Sequence, residues 1–242
     1  MALMRLDKFI SEQAIVSRKD ASKLIYTGHV SVDDTLCKDP SFKLDTDTST
    51  VFLDGKPIAY QKHLYIMLHK PAGILCVSKD PKVSTVLDLL PDKWRRPTLF
   101  PAGRLDKDTT GLVILTDDGD FAHRLLSPKK EIWKTYHARL DAPINDTIIK
   151  AFEEGTTLPD GTPCHPAFLK VLEDGDEPLV ELSICEGKYH QVKRMFGTFQ
   201  IGVNTLKRVA IGWVCLDDSL EEGESRLLLE TEQIAIFCEK KL

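Results

Sequence analysis

Hydrophobic positions along the chain follow two regimes. In the first sixty residues they recur at short helical spacing and then alternate. RLDKFISEQ places Leu6, Phe9 and Ile10 on one helical face, and SRKDASKLIYTG does the same with Ala21, Leu24 and Ile25. Ser17 stands at the N-cap of the second helix with Asp20 three residues on, and Gly28 stands where a C-cap is expected. HVSVDD alternates Val30 and Val32 into an Asp-Asp turn, and STVFLDGKPI repeats the strand pattern around Asp54-Gly55.

Beyond a polar stretch at 59–63 the apolar runs lengthen. LYIMLHKPAGILCV predicts a strand, a Pro-Gly turn and a second strand, and STVLDLLP predicts a short helix capped by Ser84 or Thr85. LVILT is a buried strand, and Asp117 or Asp118 caps a helix over GDFAHRLL that stops before Pro128. KTYHARL alternates as a strand, and INDTIIKAFEEGTTL is a helix ended by Gly155. AFLKVLEDGDEPLVELSICEG predicts two antiparallel strands around Asp174-Gly175. YHQVKRMFGTF returns to helical spacing at Val192, Met195, Phe196 and Phe199. Strands outnumber helices and short connections join them. The expected class is α+β, with a small domain over residues 1–60 and a larger one over residues 64–242 built on a mixed or antiparallel sheet.

Composition narrows the function. With 42% hydrophobic and 29% charged residues, the 242-residue chain has the balance of a globular protein. No apolar run reaches membrane-spanning length, and the N-terminal MALMRLDKFISEQ lacks a signal-peptide core. Six cysteines without CxxC spacing argue against a zinc site or a disulfide framework and imply thiols in a reducing cytoplasm. The net charge of −5 hides an uneven distribution. Residues 62–107 carry nine Lys/Arg against four Asp/Glu, and residues 183–208 carry five against one. Acids dominate 33–54 and 214–233, so a basic face suited to an anionic partner is compatible with an acidic total.

The segment GRLDKDTTGL sets Asp106 between Arg104 and Lys107 and precedes the apolar LVIL. A charged loop before a buried strand is the ordinary reading; a carboxylate kept ionised beside an anionic substrate is the sharper one. DKDTT also satisfies the Asp-x-Asp-x-Thr signature of haloacid-dehalogenase phosphatases. There the motif follows its buried strand, whereas here it precedes one, so that reading fails on context.

Read in order, the motifs resemble those of the pseudouridine synthases, in the branch that acts on ribosomal RNA. GRLDKDTTGL is similar to the family's central aspartate motif and HKPAGILCVSKDP to its first motif. KTYHARL is similar to the tyrosine motif, and EGKYHQVKRMF with LKRVAIG to the basic motif and the apolar segment after it. VSRKDASKLIYTGHVSVDD resembles the S4-type RNA-binding domain. The wording of the motifs is nearest to the small-subunit (RsuA) family, and the resemblance covers nearly the whole chain. Trp133 departs from it, standing where a polar or smaller residue is usual.

The resemblance implies isomerisation of one uridine to pseudouridine without cofactor or metal. Asp106 would be the catalytic carboxylate, Lys193 its cationic partner with Arg194 as the neighbouring candidate, and Tyr136 the aromatic face against uracil. Arg104 would contact phosphate or order the loop; Lys134, His190 and Arg194 would bind substrate, His190 mainly by ordering its loop. Arg5, Arg18, Lys19 and Lys23 would present the basic surface of the N-terminal domain. The implied partner is ribosomal RNA within a small-subunit assembly intermediate, modified at uridine 516 of 16S RNA by a cytoplasmic monomer. A uridine of 23S RNA, or a binding factor without catalysis, are the alternatives. The joint presence of Asp106, Tyr136 and Lys193 speaks against the binding factor.

Overall fold

The computed structural model describes residues 3–13 and 16–239. The chain divides into two compact units, Met1–Leu64 with Leu90–Thr98, and Tyr65–Leu89 with Leu99–Leu242.

In the first unit, β1 (Leu3–Arg5), α1 (Leu6–Gln13) and α2 (Arg18–Tyr26) precede β2 (Val30–Val32), β3 (Thr35–Leu36), β4 (Lys43–Asp45), β5 (Val51–Leu53) and β6 (Lys56–Ile58). β3-β2-β5-β6 form an antiparallel sheet, and β1 pairs with β4. Leu6, Phe9 and Ile10 of α1 and Ala21 and Ile25 of α2 bury against Val30, Val32, Leu44 and Val51, as their spacing predicts. Ser17 caps α2 by accepting from the Asp20 amide, and Gly28, at φ +83°, ends it. Asp33-Asp34 and Asp54-Gly55 all take left-handed backbone, the geometry of tight two-residue hairpins. The segment Leu90–Thr98 joins this unit through Arg96, which is buried and donates to Gln13 Oε1 and the Gln61 carbonyl at 3.0 and 2.9 Å. Hydropathy carries no sign of that placement.

The second unit is built on a nine-stranded sheet among the described residues. Its strands are β7 (Tyr65–Lys70), β8 (Phe100–Pro101), β9 (Thr110–Thr116), β10 (Lys134–Leu140), β11 (Phe168–Glu173), β12 (Leu179–Ile184), β13 (Val203–Ile211), β14 (Val214–Cys215) and β15 (Ser225–Leu227). The main order is β11-β12-β10-β13-β9-β7-β15, and among these pairs β13–β9 is parallel. The helices are α3 (Gly119–Leu126), α4 (Asp146–Glu154), α5 (Gln191–Gly197) and α6 (Glu230–Ala235). Asp118 caps α3, accepting from the amides of Asp120 and Phe121, and Asn145 caps α4. Phe121, Ala122 and Leu125 of α3 pack with Met67, Leu112 and Ile114, while Phe152 of α4 meets Phe196 of α5 with ring centroids 4.9 Å apart.

Two expected elements are absent. ILCV forms no strand beyond a bridge from Leu75 to Thr85, and STVLDLLP is a turn, not a helix. In the latter the Asp88 carboxylate accepts from both the amide and hydroxyl of Thr85, closing the chain locally before a helical turn can propagate.

Candidate active site

The loop 103–109 is held by glycine at its two ends and by a buried lysine from outside. Gly103 and Gly111 sit at φ +95° and +103°. At Gly111 an added Cβ would overlap the backbone of Arg208, because β13 runs against it in the register Arg208↔Gly111. That close approach lets Arg208 Nε donate to the Leu112 carbonyl at 2.8 Å, tying β13 to the strand that leaves the loop.

Lys70, the last residue of β7, is fully buried. Its Nζ donates to the carbonyls of Pro71, Lys107 and Thr109 at 2.9, 3.1 and 2.9 Å. An ammonium has three N–H donors, so all are used. Burial still pushes the amine below its usual pKa. Two of the accepting carbonyls flank Asp108, so Lys70 fastens the first motif to the aspartate loop. The sequence reading singled out that motif but not this residue; a lysine ending an apolar strand was the available signal.

Asp106 is half-buried, and its Oδ1 lies 3.4 Å from His190 Nε2. His190 is the N-cap of α5 and takes a left-handed backbone, φ +48°. Three residues along, Lys193 Nζ reaches Asp108 Oδ2 at 2.5 Å and holds that carboxyl below the usual carboxylate range. The expected pairing is therefore corrected: Lys193 meets Asp108, and the cation-capable group on Asp106 is His190. Alternate residues of the loop thus face the start of α5, and the Lys193–Asp108 bridge binds loop to helix. The sequence reading overlooked Asp108.

Tyr136 lies on β10, opposite Leu182 on β12 and Arg208 on β13, and is 8% exposed. Arg104, Asp106, Thr109, Tyr136, His190 and Lys193 line one cavity. The Thr109 hydroxyl is buried and has no hydrogen-bond partner among the described residues. An adjoining cavity of about 520 Å³, within the range of ligand pockets, shares Arg104 and Tyr136 and adds Lys134 and Arg208. Arg194 lines neither: it pairs with Asp160 and donates to the Tyr189 carbonyl. Trp133 tilts onto Phe168 with ring centroids 5.2 Å apart and lines neither cavity.

Burial, with Arg208 nearby, lowers the Lys134 amine to about 8. The unfolded chain keeps the ordinary value near 10.4, so between these pH values it binds more protons than the folded one, and stability rises with pH across that window. Each pKa unit is worth about 1.4 kcal/mol. Lys134→Met is expected to stabilise the fold at pH 7 by up to about 3 kcal/mol. In denaturant titrations that gain should shrink as pH climbs from 8 to 10.5; a pH-independent difference would contradict the assignment.

In the first unit, Arg5 and Arg18 converge on Asp7, whose carboxyl is buried and held low chiefly by the Arg5 hydrogen bonds at 3.1 and 2.9 Å. Lys19 and Lys23 stand exposed on α2. The four expected basic residues thus split into two engaged with an internal carboxylate and two presented outward.

A loop carboxylate, an aromatic face and basic side chains around one cavity, in a chain that also carries exposed lysines on α2, suit an enzyme acting on nucleic acid. The family model described as RNA pseudouridylate synthase matches residues 64–198, and the S4 domain model matches residues 4–48. An RNA pseudouridine synthase of Bacillus subtilis, itself uncharacterized, is 41% identical over 95% of this chain and 96% of its own. The ribosomal small subunit pseudouridine synthase A of Vibrio cholerae is 43% identical over 97% of this chain and all of its own, and that of Escherichia coli 42% over 95% and 98%. A crystal structure of a pseudouridylate synthase, 38% identical, superposes with a TM-score of 0.67 over 96% of this chain and 99% of the other. The chain belongs to the RNA pseudouridine synthases, isomerases of RNA, with an S4 domain at its N-terminus.

Proposed function

We propose that the protein isomerises one uridine of small-subunit ribosomal RNA, with Asp106 as the catalytic carboxylate. The observation that carries this reading is the single cavity shared by Asp106, Tyr136, His190 and Lys193. The near full-length likeness to small-subunit enzymes supports the substrate, and uridine 516 of 16S RNA is the proposed site.

The reaction breaks the bond from ribose C1′ to uracil N1, turns the base and joins C1′ to C5. The C5 proton leaves and N1 gains one, so atoms and charge balance without an oxidant. The half-buried Asp106 acts on the ribose, as nucleophile at C1′ or as base for a ribose proton. His190 Nε2 stands 3.4 Å from the Asp106 Oδ1, on the same cavity. The target uridine leaves its stack to lie against Tyr136, whose ring replaces the lost base stacking. Lys19 and Lys23 contribute sequence-independent attraction to phosphate.

Purified protein incubated with small- or large-subunit assembly intermediates whose RNA carries tritium at uracil C5 should release tritium from the 16S-containing particles alone, one equivalent per molecule. Release from 23S RNA alone would reassign the substrate.

A further inference from the structure

The cavity beside Tyr136 is lined by two cations, Lys134 and Arg208, with Glu186 as its acidic residue. Arg208 is 4% exposed; its Nε donates to the Leu112 carbonyl, and its buried Nη2 finds no acceptor among the described residues. Lys134 lines the same cavity from β10, two residues before Tyr136, which pairs across the strands with Arg208. Burial first, and then the Arg208 charge, act against the Lys134 ammonium more strongly than Cys185 and Glu186 favour it. Glu186, the acidic residue on this lining, is already occupied: it pairs with Lys188 and accepts from the His165 amide and Gln191 Nε2 at 3.0 and 2.6 Å. Neighbouring cations that share one already engaged carboxylate destabilise the empty fold. An anion seated against them would relieve the repulsion and give Nη2 a charge-assisted hydrogen bond.

We infer that this cavity is a subsite for one phosphate of the RNA backbone next to the target uridine, gripped by Lys134 and Arg208. The inference rests on RNA as the substrate of the Asp106 cavity. A phosphodiester fits because its two non-bridging oxygens offer one acceptor to each cation. Tyr136 borders both cavities, so a nucleotide lying on its ring has a flanking phosphate within reach of the second. Arg208 and Lys134 then position the strand while Asp106 does the chemistry.

The test uses an oligonucleotide spanning the target uridine, with each flanking phosphate replaced in turn by an uncharged methylphosphonate. Affinity is measured for wild type, Lys134→Met, Lys134→Arg and Arg208→Met over a range of salt. One neutralised phosphate should weaken wild-type binding about ten- to a hundredfold, the loss of a charged hydrogen bond. Lys134→Met should weaken natural RNA and lose less than wild type on the neutralised strand, because only Arg208 still holds the phosphate. Its salt slope should fall by about 0.7, one single-strand phosphate contact. Lys134→Arg should restore binding. A merely structural lysine would not produce this non-additivity or this change in slope. Should Arg208→Met fail to fold through loss of its bond to Leu112, Lys134→Met carries the test alone.

Equal losses on natural and neutralised strands for wild type and Lys134→Met would overturn the subsite. So would competition by millimolar inorganic phosphate with no methylphosphonate effect, which would mark a free-anion site. Pseudouridine formation by wild type is scored in parallel on small-subunit assembly intermediates. Its absence overturns the substrate reading together with the subsite, whereas its presence without a Lys134→Met effect overturns the subsite alone.

Discussion

Asp106→Asn should abolish pseudouridine formation, lowering the rate by at least about 10⁴, while leaving the fold and RNA affinity nearly unchanged. An amide keeps the shape of the carboxylate but is neither an adequate nucleophile nor a base, and loss of such a group removes the chemical step rather than binding. The side chain makes no contact on which the loop depends. The loop is held by Lys70, by the Lys193–Asp108 bridge and by the glycines at its ends, while Asp106 meets His190 at 3.4 Å. Rate and affinity measured on the same RNA check this. An active Asp106→Asn protein would show that the carboxylate is not the reacting group, and a parallel loss of binding would show that the residue shapes the RNA site instead.

Lys70→Met is expected to have the second largest effect, by a different route. The substitution keeps the length and apolar contacts of the side chain but leaves the carbonyls of Pro71, Lys107 and Thr109 without their donor. An unsatisfied buried carbonyl costs about 1–3 kcal/mol, partly offset because no amine is then buried. A net destabilisation of about 3 kcal/mol is expected in a denaturant titration. The freed loop also lets Asp106 drift, and a misplacement of about 1 Å costs about 10² in rate. Catalytic rate should therefore fall more than KM rises. Unchanged stability and rate in Lys70→Met would mean that the loop is held by its glycines and the Lys193–Asp108 bridge alone.

Much of this was legible before any coordinates. Helical spacing in the first unit and the alternation of KTYHARL marked elements that form where expected, because their apolar periodicity is also their burial pattern. The cavity residues Arg104, Asp106, Tyr136, His190 and Lys193 were found through ordered motifs, not through local chemistry, since each is an ordinary residue type in an ordinary pattern. What the sequence concealed was pairing across distance. Asp108 and His190 were chosen as partners by the turn at the loop and the left-handed cap of α5, neither of which leaves a periodic signal. Lys70 and Arg208 look like polar residues at the edge of apolar strands, yet both are buried, one fully satisfied and the other not. The false helix at STVLDLLP arose because Thr85 and Asp88 read equally well as a cap and as a side-chain-closed turn.

The most direct test of the central claim is a pseudouridine map of ribosomal RNA from cells lacking this protein, complemented with wild type or with Asp106→Asn. The account predicts that one 16S uridine loses its modification and that wild type alone restores it. A complete ribosomal RNA map in the deleted cells, or restoration by Asp106→Asn, would contradict it.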